Sequence, residues 1–213
     1  MKRLKGYRPI SYVHDGLILI RGANLYHADF SLVNVKHIVK LPFHSKLLYK
    51  FARFNFFLRL LRLNNISGLV LEKNKLLLKS KFGFYLCDLK NKTIFKESVD
   101  VRGNPFYLLK SNLRKSVLVG DYTSNINKSP CSIYERSTNG SWNKLYSFPE
   151  GSINHIHSIY EDNEENCFYI LTGDFGKASS IWKADLEFKN IQIYSHHGQS
   201  TRACWLIYDK NYF

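Results

Sequence analysis

The stretch IWKAD at 181–185 is one of four copies of a short pattern that recurs along the chain. The others are LYHAD at 25–29, FYLCD at 84–88 and IYERS at 133–137, so an apolar and an aromatic residue precede two variable positions and then Asp or Ser. The copies start 59, 49 and 48 residues apart, and each follows a short apolar run typical of a β-strand. A period near 50 residues with several strands per unit predicts an all-β protein, a β-propeller with about four blades.

The chain is expected to form a single domain, residues 1–213, because it has room for only about four such units. Its last apolar run, 203–208, predicts a strand close to the end of the sequence. We therefore expect an incomplete ring whose C-terminal blades are missing, as in a shortened reading frame. The alternative at this point is a β-sandwich whose strands carry tyrosine at similar places.

The long first interval between the repeats contains a basic insertion at 44–65. It carries Lys46, Lys50, Arg53, Arg59 and Arg62 among leucine and phenylalanine residues, and a helix is one conformation open to it. The formal net charge of the chain is +14, and residues 1–110 hold 21 Lys/Arg against 6 Asp/Glu, whereas residues 111–213 hold 10 against 11. This asymmetry excludes an even distribution of positive charge that serves only solubility. The candidate partner of the insertion is therefore an anionic membrane surface or a protein.

Nucleic acid is disfavoured as a partner, because charge alone supports it and the sequence has no helix-turn-helix, zinc or RNA-recognition motif. The four cysteines lie far apart without a C-x-x-C pair, so we expect buried, reduced thiols. The first apolar run, 16–20, is too short and too late for a signal peptide or a membrane span. We therefore expect a cytoplasmic protein.

Three stretches carry a resemblance to a known family: 146–157, which reads YSFPEGSINHIH, then TGD at 172–174 and GQSTRA at 198–203. Together they resemble sialidase-like β-propeller proteins of unknown function, built from Asp-box (neuraminidase, or BNR) repeats. Degenerate Asp boxes occur at 137–142 and 184–188. The resemblance implies that the protein binds or processes a carbohydrate in surface-polysaccharide metabolism.

Candidate site residues lie mainly in the second half of the chain. His155 and His157 are two positions apart, so on a strand they point to the same side and can bind a metal, transfer protons or hydrogen-bond sugar hydroxyls. Asp174 follows a predicted strand, and Gln199 and Arg202 follow in the next connection. We expect all five side chains to converge, partly exposed, at one rim of the propeller channel.

Several chemistries remain open for this set. A sialidase-like glycoside hydrolase needs a tyrosine nucleophile backed by a carboxylate, with arginines around the substrate; the matching residues are Tyr122, Asp121, Arg21, Arg102 and Arg202. A metal-dependent polysaccharide lyase resembling oligogalacturonate lyases would use His155, His157, His197 and Gln199 as ligands, and then a divalent metal is the cofactor. Binding without turnover would use the same polar residues with Trp182 or Trp205 as a stacking platform. Purely structural histidines are the remaining alternative.

Overall fold

The computed structural model describes residues 6–42, 65–174 and 176–206. Within these ranges the chain forms sixteen β-strands in four antiparallel sheets of four strands, with 3-10 turns at Gly176–Ala178 and Gly198–Thr201. The basic insertion predicted at 44–65 lies outside the described residues, apart from Asn65. Among the described residues, no helix has the length and apolar character needed to cross a membrane.

The chain divides into two compact units, Met1–Val99 and Asp100–Phe213, and each contains two of the four sheets. The single domain expected over 1–213 stays a prediction. The strands of the first sheet are β1 (Arg8–Val13), β2 (Gly16–Arg21), β3 (Asn24–Ala28) and β4 (Val35–Lys40). The strands of the second sheet are β5 (Ser67–Glu72), β6 (Lys75–Ser80), β7 (Gly83–Asp88) and β8 (Thr93–Glu97).

The second unit holds the third and fourth sheets. The strands of the third sheet are β9 (Leu109–Ser111), β10 (Ser116–Gly120), β11 (Cys131–Arg136) and β12 (Trp142–Phe148). The strands of the fourth sheet are β13 (Ile156–Asp162), β14 (Cys167–Thr172), β15 (Ser180–Ala184) and β16 (Ile191–Ser195).

Strands that follow one another in sequence are neighbours in every sheet, with the order β1-β2-β3-β4 in the first and the same kind of meander in the others. A four-stranded meander is the blade of a β-propeller, whereas Greek-key sandwiches pass strands between their two sheets. The strand order therefore supports the predicted blades and argues against the sandwich.

The sequence repeat coincides with the third strand of each sheet. Its four aromatic residues stand opposite an apolar residue of the second strand, in the pairs Tyr26–Leu19, Tyr85–Leu78, Tyr134–Val119 and Trp182–Ile170. A register shift directly precedes the aromatic residue in β3, β11 and β15, where these strands pair with the fourth strand. The expectation that these residues are equivalent is confirmed at the level of strand and register.

The acidic position of the repeat closes the hairpin between the third and fourth strands. Asp29 accepts a hydrogen bond from the side-chain amide of Asn34 at 2.7 Å, and Asp185 accepts one from that of Asn190 at 2.6 Å. Both loops have the same length, and the fourth residue of each has a positive φ: 58° at Leu32 and 56° at Phe188. The Asp is therefore repeated because its carboxylate holds this turn.

Each unit has its own apolar core, built from the facing strands of its two sheets. In the first unit the largest fully buried members are Ile18, Leu25, Leu76 and Leu78, and in the second they are Leu118, Ile133, Phe148 and Phe168. All four cysteines are free. Three of them are buried and Cys204 is half-buried, which agrees with the expected reduced thiols. Burial raises the pKa of the Cys87 thiol to about 11.

The strand predicted at 203–208 is wrong for its described part, residues 203–206, which are irregular. Two carbonyl groups of this segment are engaged by side chains of β13 instead of by a neighbouring strand. The Nδ1 atom of His157 hydrogen-bonds Ala203 O at 2.9 Å, and the Ser158 hydroxyl donates to Cys204 O at 3.0 Å. Residues 203 and 204 therefore lie against the edge strand β13 of the fourth sheet and support the site described next.

Candidate functional site

The predicted histidine pair meets Asp174 at the start of the fourth sheet. His155 directly precedes β13, and His157 lies at an irregularity of its pairing with β14. Their Nε2 atoms are 2.9 Å apart. The Asp174 carboxylate lies 3.2 Å from Nε2 of His155 through Oδ2 and 3.4 Å from Nε2 of His157 through Oδ1. We call these three residues the His–His–Asp cluster.

Backbone geometry brings Asp174 to the histidines. The Gly173 N–H donates to the carbonyl of His155 at 3.0 Å, which fixes the turn after β14 against the start of β13. Gly173 has φ +69°, and a Cβ atom there would lie 1.9 Å from the carbonyl oxygen of Ala178. Because any side chain would collide with backbone, glycine is required next to Asp174.

The second ring nitrogen of each histidine hydrogen-bonds a backbone carbonyl: His155 Nδ1 to Thr123 O at 3.2 Å and His157 Nδ1 to Ala203 O at 2.9 Å. A carbonyl oxygen only accepts, so Nδ1 carries a proton in both rings, and in a neutral ring Nε2 is then an acceptor that faces the cluster. Burial lowers the pKa of His155, and the nearby Asp174 carboxylate opposes that effect.

Gln199 and Arg202 reach the cluster from the second 3-10 turn, as expected. Arg202 Nη2 donates to Asp174 Oδ1 at 3.0 Å, and Gln199 Nε2 donates to Asp174 O at 2.8 Å. The expected exposure is wrong for the histidines, since His155 is 6% and His157 2% exposed. The side chains of Asp174 and Arg202 are more open to solvent, at 27% and 44% exposed, and Gln199 is also exposed.

Tyr122 contributes an aromatic wall, while Asp121 and Arg102 have a structural role. The Tyr122 ring lies 4.6 Å from the His155 ring between centroids. Asp121 is fully buried and accepts hydrogen bonds from Arg102 N at 2.7 Å, Arg102 Nη2 at 3.1 Å and Ser132 N at 2.9 Å. The predicted substrate contact of Asp121 is therefore wrong, because its carboxylate anchors the start of the β10–β11 connection instead.

The other predicted site residues lie elsewhere. Arg21 belongs to the first unit, where its guanidinium lies over the Tyr7 ring at 5.2 Å. Trp205 is 61% exposed, and its ring packs edge-on against Phe106 at 5.9 Å. His197, a ligand in the lyase alternative, is exposed, and its backbone caps the second 3-10 turn. Among the described residues, the third potential metal ligand beside the two histidines is Asp174 rather than His197 or Gln199.

A cavity of about 640 Å³ opens beside the His–His–Asp cluster within the second unit. Its lining includes Ser124, Asn125, Lys128, Asn154, His155 and Asp174. Within the described part of the chain, Asn154 Oδ1 is buried without a hydrogen-bond partner. Sequence reasoning missed this polar wall, although the adjacency of Asn154 to His155 was a usable signal. It also missed the carbonyls of Thr123 and Ala203, for which the sequence carries no signal because every residue has one.

No protein-family model matches the chain. No curated protein matches it either. Solved structures similar to it include the N-terminal domain of Nup159, at 11% identity and TM-score 0.46, covering 86% of this chain and 46% of that one. A functionally unknown protein from Desulfotomaculum acetoxidans DSM 771 is 11% identical at TM-score 0.48, covering 92% and 57% respectively. The Myceliophteria thermophila Cps50 (Swd1) β-propeller domain is 12% identical at TM-score 0.40, covering 88% and 69%.

The chain spans about half the length of the first two of these structures. At 11–12% identity these likenesses carry no argument about activity, and the blade architecture rests on the strand order described above.

Proposed function

We propose that the second unit binds a carbohydrate in the cavity beside the His–His–Asp cluster. The observation that carries the proposal is a cavity lined by six polar side chains from three separate connections, and two of the six, His155 and Asp174, belong to the His–His–Asp cluster. At about 640 Å³ the cavity has the size of a small-molecule site, with room for one or two sugar rings. The proposal includes the resemblance to sialidase-like propellers and the role in surface-polysaccharide metabolism that this resemblance implies.

The chemistry of the wall suits a ligand with many hydroxyl groups. Asn154 supplies an amide group, Ser124 a hydroxyl and Lys128 an ammonium group, while the Asn125 amide is already hydrogen-bonded to the backbone of Ser129. Asn154 Oδ1 is available as an acceptor, and satisfying a buried acceptor on binding recovers a desolvation cost of about 1–3 kcal/mol. The half-buried Tyr122 ring next to His155 offers an apolar face beside these polar groups.

Recognition without turnover is the form of this function that the geometry favours. A sialidase-like mechanism needs a free carboxylate to activate Tyr122, but Asp121 is saturated by Arg102 and Ser132. It also needs an arginine cluster, and of the three candidate arginines only Arg202 lies at the His–His–Asp cluster.

Glycan-array binding by the native chain and two arginine variants tests the proposal. Arg202→Ala removes the rim cation and is expected to weaken glycan binding at least about tenfold, or about 1.4 kcal/mol. Arg21→Ala, which removes an exposed arginine in the other unit, is the matched control and should bind as the native chain does. Failure of the native chain to bind any glycan, or equal weakening by both variants, overturns the proposal.

A second candidate function is supported by the charge distribution. Residues 1–99 contain 19 Lys/Arg and 5 Asp/Glu, so the formal excess of +14 falls entirely in the first unit. We propose that this unit is attracted to an anionic membrane surface through the basic insertion, since clustered lysine and arginine each contribute about 1 kcal/mol there.

A further inference from the structure

We infer that His155, His157 and Asp174 bind one divalent transition-metal ion. His155 Nε2 lies 2.9 Å from His157 Nε2, and the Asp174 carboxylate approaches His155 Nε2 through Oδ2 at 3.2 Å and His157 Nε2 through Oδ1 at 3.4 Å. Ligand atoms around a tetrahedral ion with bonds of about 2.0 to 2.1 Å lie about 3.3 Å apart. The two imidazole nitrogens and the nearer carboxylate oxygen of each therefore lie at separations close to those around one such ion. This inference stands whether or not the cavity binds a carbohydrate.

Both histidines have the outer hydrogen bonds that metal-binding histidines use. Nδ1 of each ring hydrogen-bonds a backbone carbonyl, Thr123 O for His155 and Ala203 O for His157. This contact orients each ring so that its Nε2 atom faces the cluster. In metal sites the same contact fixes the ring tautomer and raises the basicity of the ligating nitrogen. Because these carbonyls belong to two different connections, the ring orientation is set independently for each histidine.

When both rings are neutral, two Nε2 lone pairs and a carboxylate face one another without a donor between them, so either a shared proton or a cation is needed to satisfy them. The Arg202 guanidinium donates to Asp174 Oδ1, on the solvent side of the cluster, and His157 is nearly fully buried behind it. Three converging acceptors in a buried place are costly as a purely structural feature. A cation between the two Nε2 atoms and the Asp174 carboxylate would interact favourably with all three groups.

The donor set selects the class of metal. Two imidazoles and one carboxylate suit Zn²⁺, Mn²⁺, Fe²⁺ or Co²⁺, whereas Ca²⁺ and Mg²⁺ prefer sites built from oxygen alone. Three protein ligands leave at least one coordination position open, as in catalytic rather than structural sites. His155 and Asp174 also line the cavity, so a ligand in the cavity can reach that open position.

A second group of potential ligands, Asp162, Glu165 and Cys167, does not compete with this site. The Lys183 ammonium already pairs with the Glu165 carboxylate. Asp162 Oδ1 accepts hydrogen bonds from the backbone N–H groups of Glu164 and Glu165 at 2.9 and 3.0 Å. The lysine therefore already supplies positive charge at Glu165. Among the described residues, Asp162 Oδ2 is buried without a hydrogen-bond partner.

Titration of the chelator-stripped full chain with Zn²⁺, Mn²⁺ and Co²⁺ tests the inference, by calorimetry and by the visible spectrum of bound Co²⁺. We expect about one equivalent of metal per chain and Co²⁺ bands typical of nitrogen and oxygen ligands. Asp174→Asn and His155→Gln should each weaken binding at least about tenfold. His197→Gln, which alters an exposed histidine outside the cluster, is the matched control and should bind as the native chain does.

Circular dichroism of the metal-free variants shows whether they fold. Loss of metal binding in folded Asp174→Asn with full binding in His197→Gln supports the site. If either cluster variant fails to fold, the unfolding temperature of the native chain is measured with and without metal. A higher unfolding temperature with metal supports the site. Binding of less than about one tenth of an equivalent by the native chain, or unchanged binding in folded cluster variants, overturns the inference and leaves a shared proton between the histidines.

Discussion

The two compact units share one architecture and differ in what they carry. Each consists of two four-stranded meanders around an apolar core. Residues 1–99 contain 19 basic and 5 acidic residues, whereas residues 100–213 contain 12 of each. The second unit instead buries polar groups near its core, among them Asp121, His155 and His157. The blades therefore act as a common frame, and net charge and site chemistry have been placed on different units.

The largest effect is expected from neutralising the basic insertion. Replacing its five basic residues by glutamine should weaken binding to phosphatidylserine vesicles by more than about 100-fold, because each contributes roughly 1 kcal/mol. Vesicle co-sedimentation measures this, with phosphatidylcholine vesicles as the lipid control. The five residues are Lys46, Lys50, Arg53, Arg59 and Arg62.

The matched control removes five lysines from the second unit and should leave vesicle binding almost unchanged. Equal weakening by both sets would mean that total charge, rather than its place in the first unit, governs binding. The control residues are Lys110, Lys115, Lys128, Lys144 and Lys189.

Loss of the buried carboxylate in the second unit should have the next largest effect. Asp121→Ala leaves the N–H groups of Arg102 and Ser132 without their acceptor and is expected to lower the free energy of unfolding by about 3 kcal/mol. Urea unfolding measures the change. Asp29→Ala removes a carboxylate that also holds a turn but is not fully buried, so its loss should be clearly smaller. Similar losses would show that the two units do not differ in how they use buried charge.

The first unit also buries one charge, and its effect should depend on pH. Burial, with a smaller contribution from Arg8, lowers the pKa of Lys79 from 10.5 to about 8. Between these values the unfolded chain holds a proton that the folded chain lacks, so stability rises with pH from about 8 to 10.5.

Lys79→Met should abolish this rise and increase the free energy of unfolding at pH 7 by on the order of 2 kcal/mol. Chemical unfolding at a series of pH values is the measurement. A variant that keeps the native pH profile would assign the rise to another group.

The smallest effect concerns the matching hairpins of the two units. Leu32 and Phe188 both have positive φ, which a branched or bulky side chain disfavours and asparagine tolerates. Leu32→Asn should therefore raise the free energy of unfolding by about 0.5 kcal/mol. Phe188 is buried and stacks on Phe168 at 5.0 Å, so Phe188→Asn should destabilise the protein instead. Thermal unfolding of both variants shows whether each substitution raises or lowers stability. Higher stability of both variants would contradict the expected difference between the two hairpins.

The sequence was sufficient to predict the blades because the repeat has a local cause. The aromatic residue fills one position of the third strand, and the Asp three residues later holds the next turn, so both requirements lie within one short stretch. The run 203–208 misled for the opposite reason. Its composition suits a strand, but two of its carbonyls are engaged by His157 and Ser158, about 46 residues away in sequence.

The residues of the candidate site could be predicted from the sequence, but their burial and their hydrogen-bond partners could not. The two-residue spacing of His155 and His157 and the position of Asp174 after a strand were enough to place them together. Their burial was not foreseen, because it depends on backbone carbonyls of Thr123 and Ala203 that no side-chain pattern records. Asp121 was misassigned for a related reason: a carboxylate beside a tyrosine looks the same in sequence whether it faces a ligand or a buried arginine.

The meander order also bears on how the chain folds. Within each sheet, every strand pairs with the one that follows it, across turns as short as the two residues between Val13 and Gly16. Closing such short loops costs little chain entropy, so hairpins can form early and accumulate into a sheet before distant segments meet. The His–His–Asp cluster needs contacts between β13 and the segment near 203, and these close only after the fourth sheet exists. Assembly of the cluster should therefore be a late event in folding.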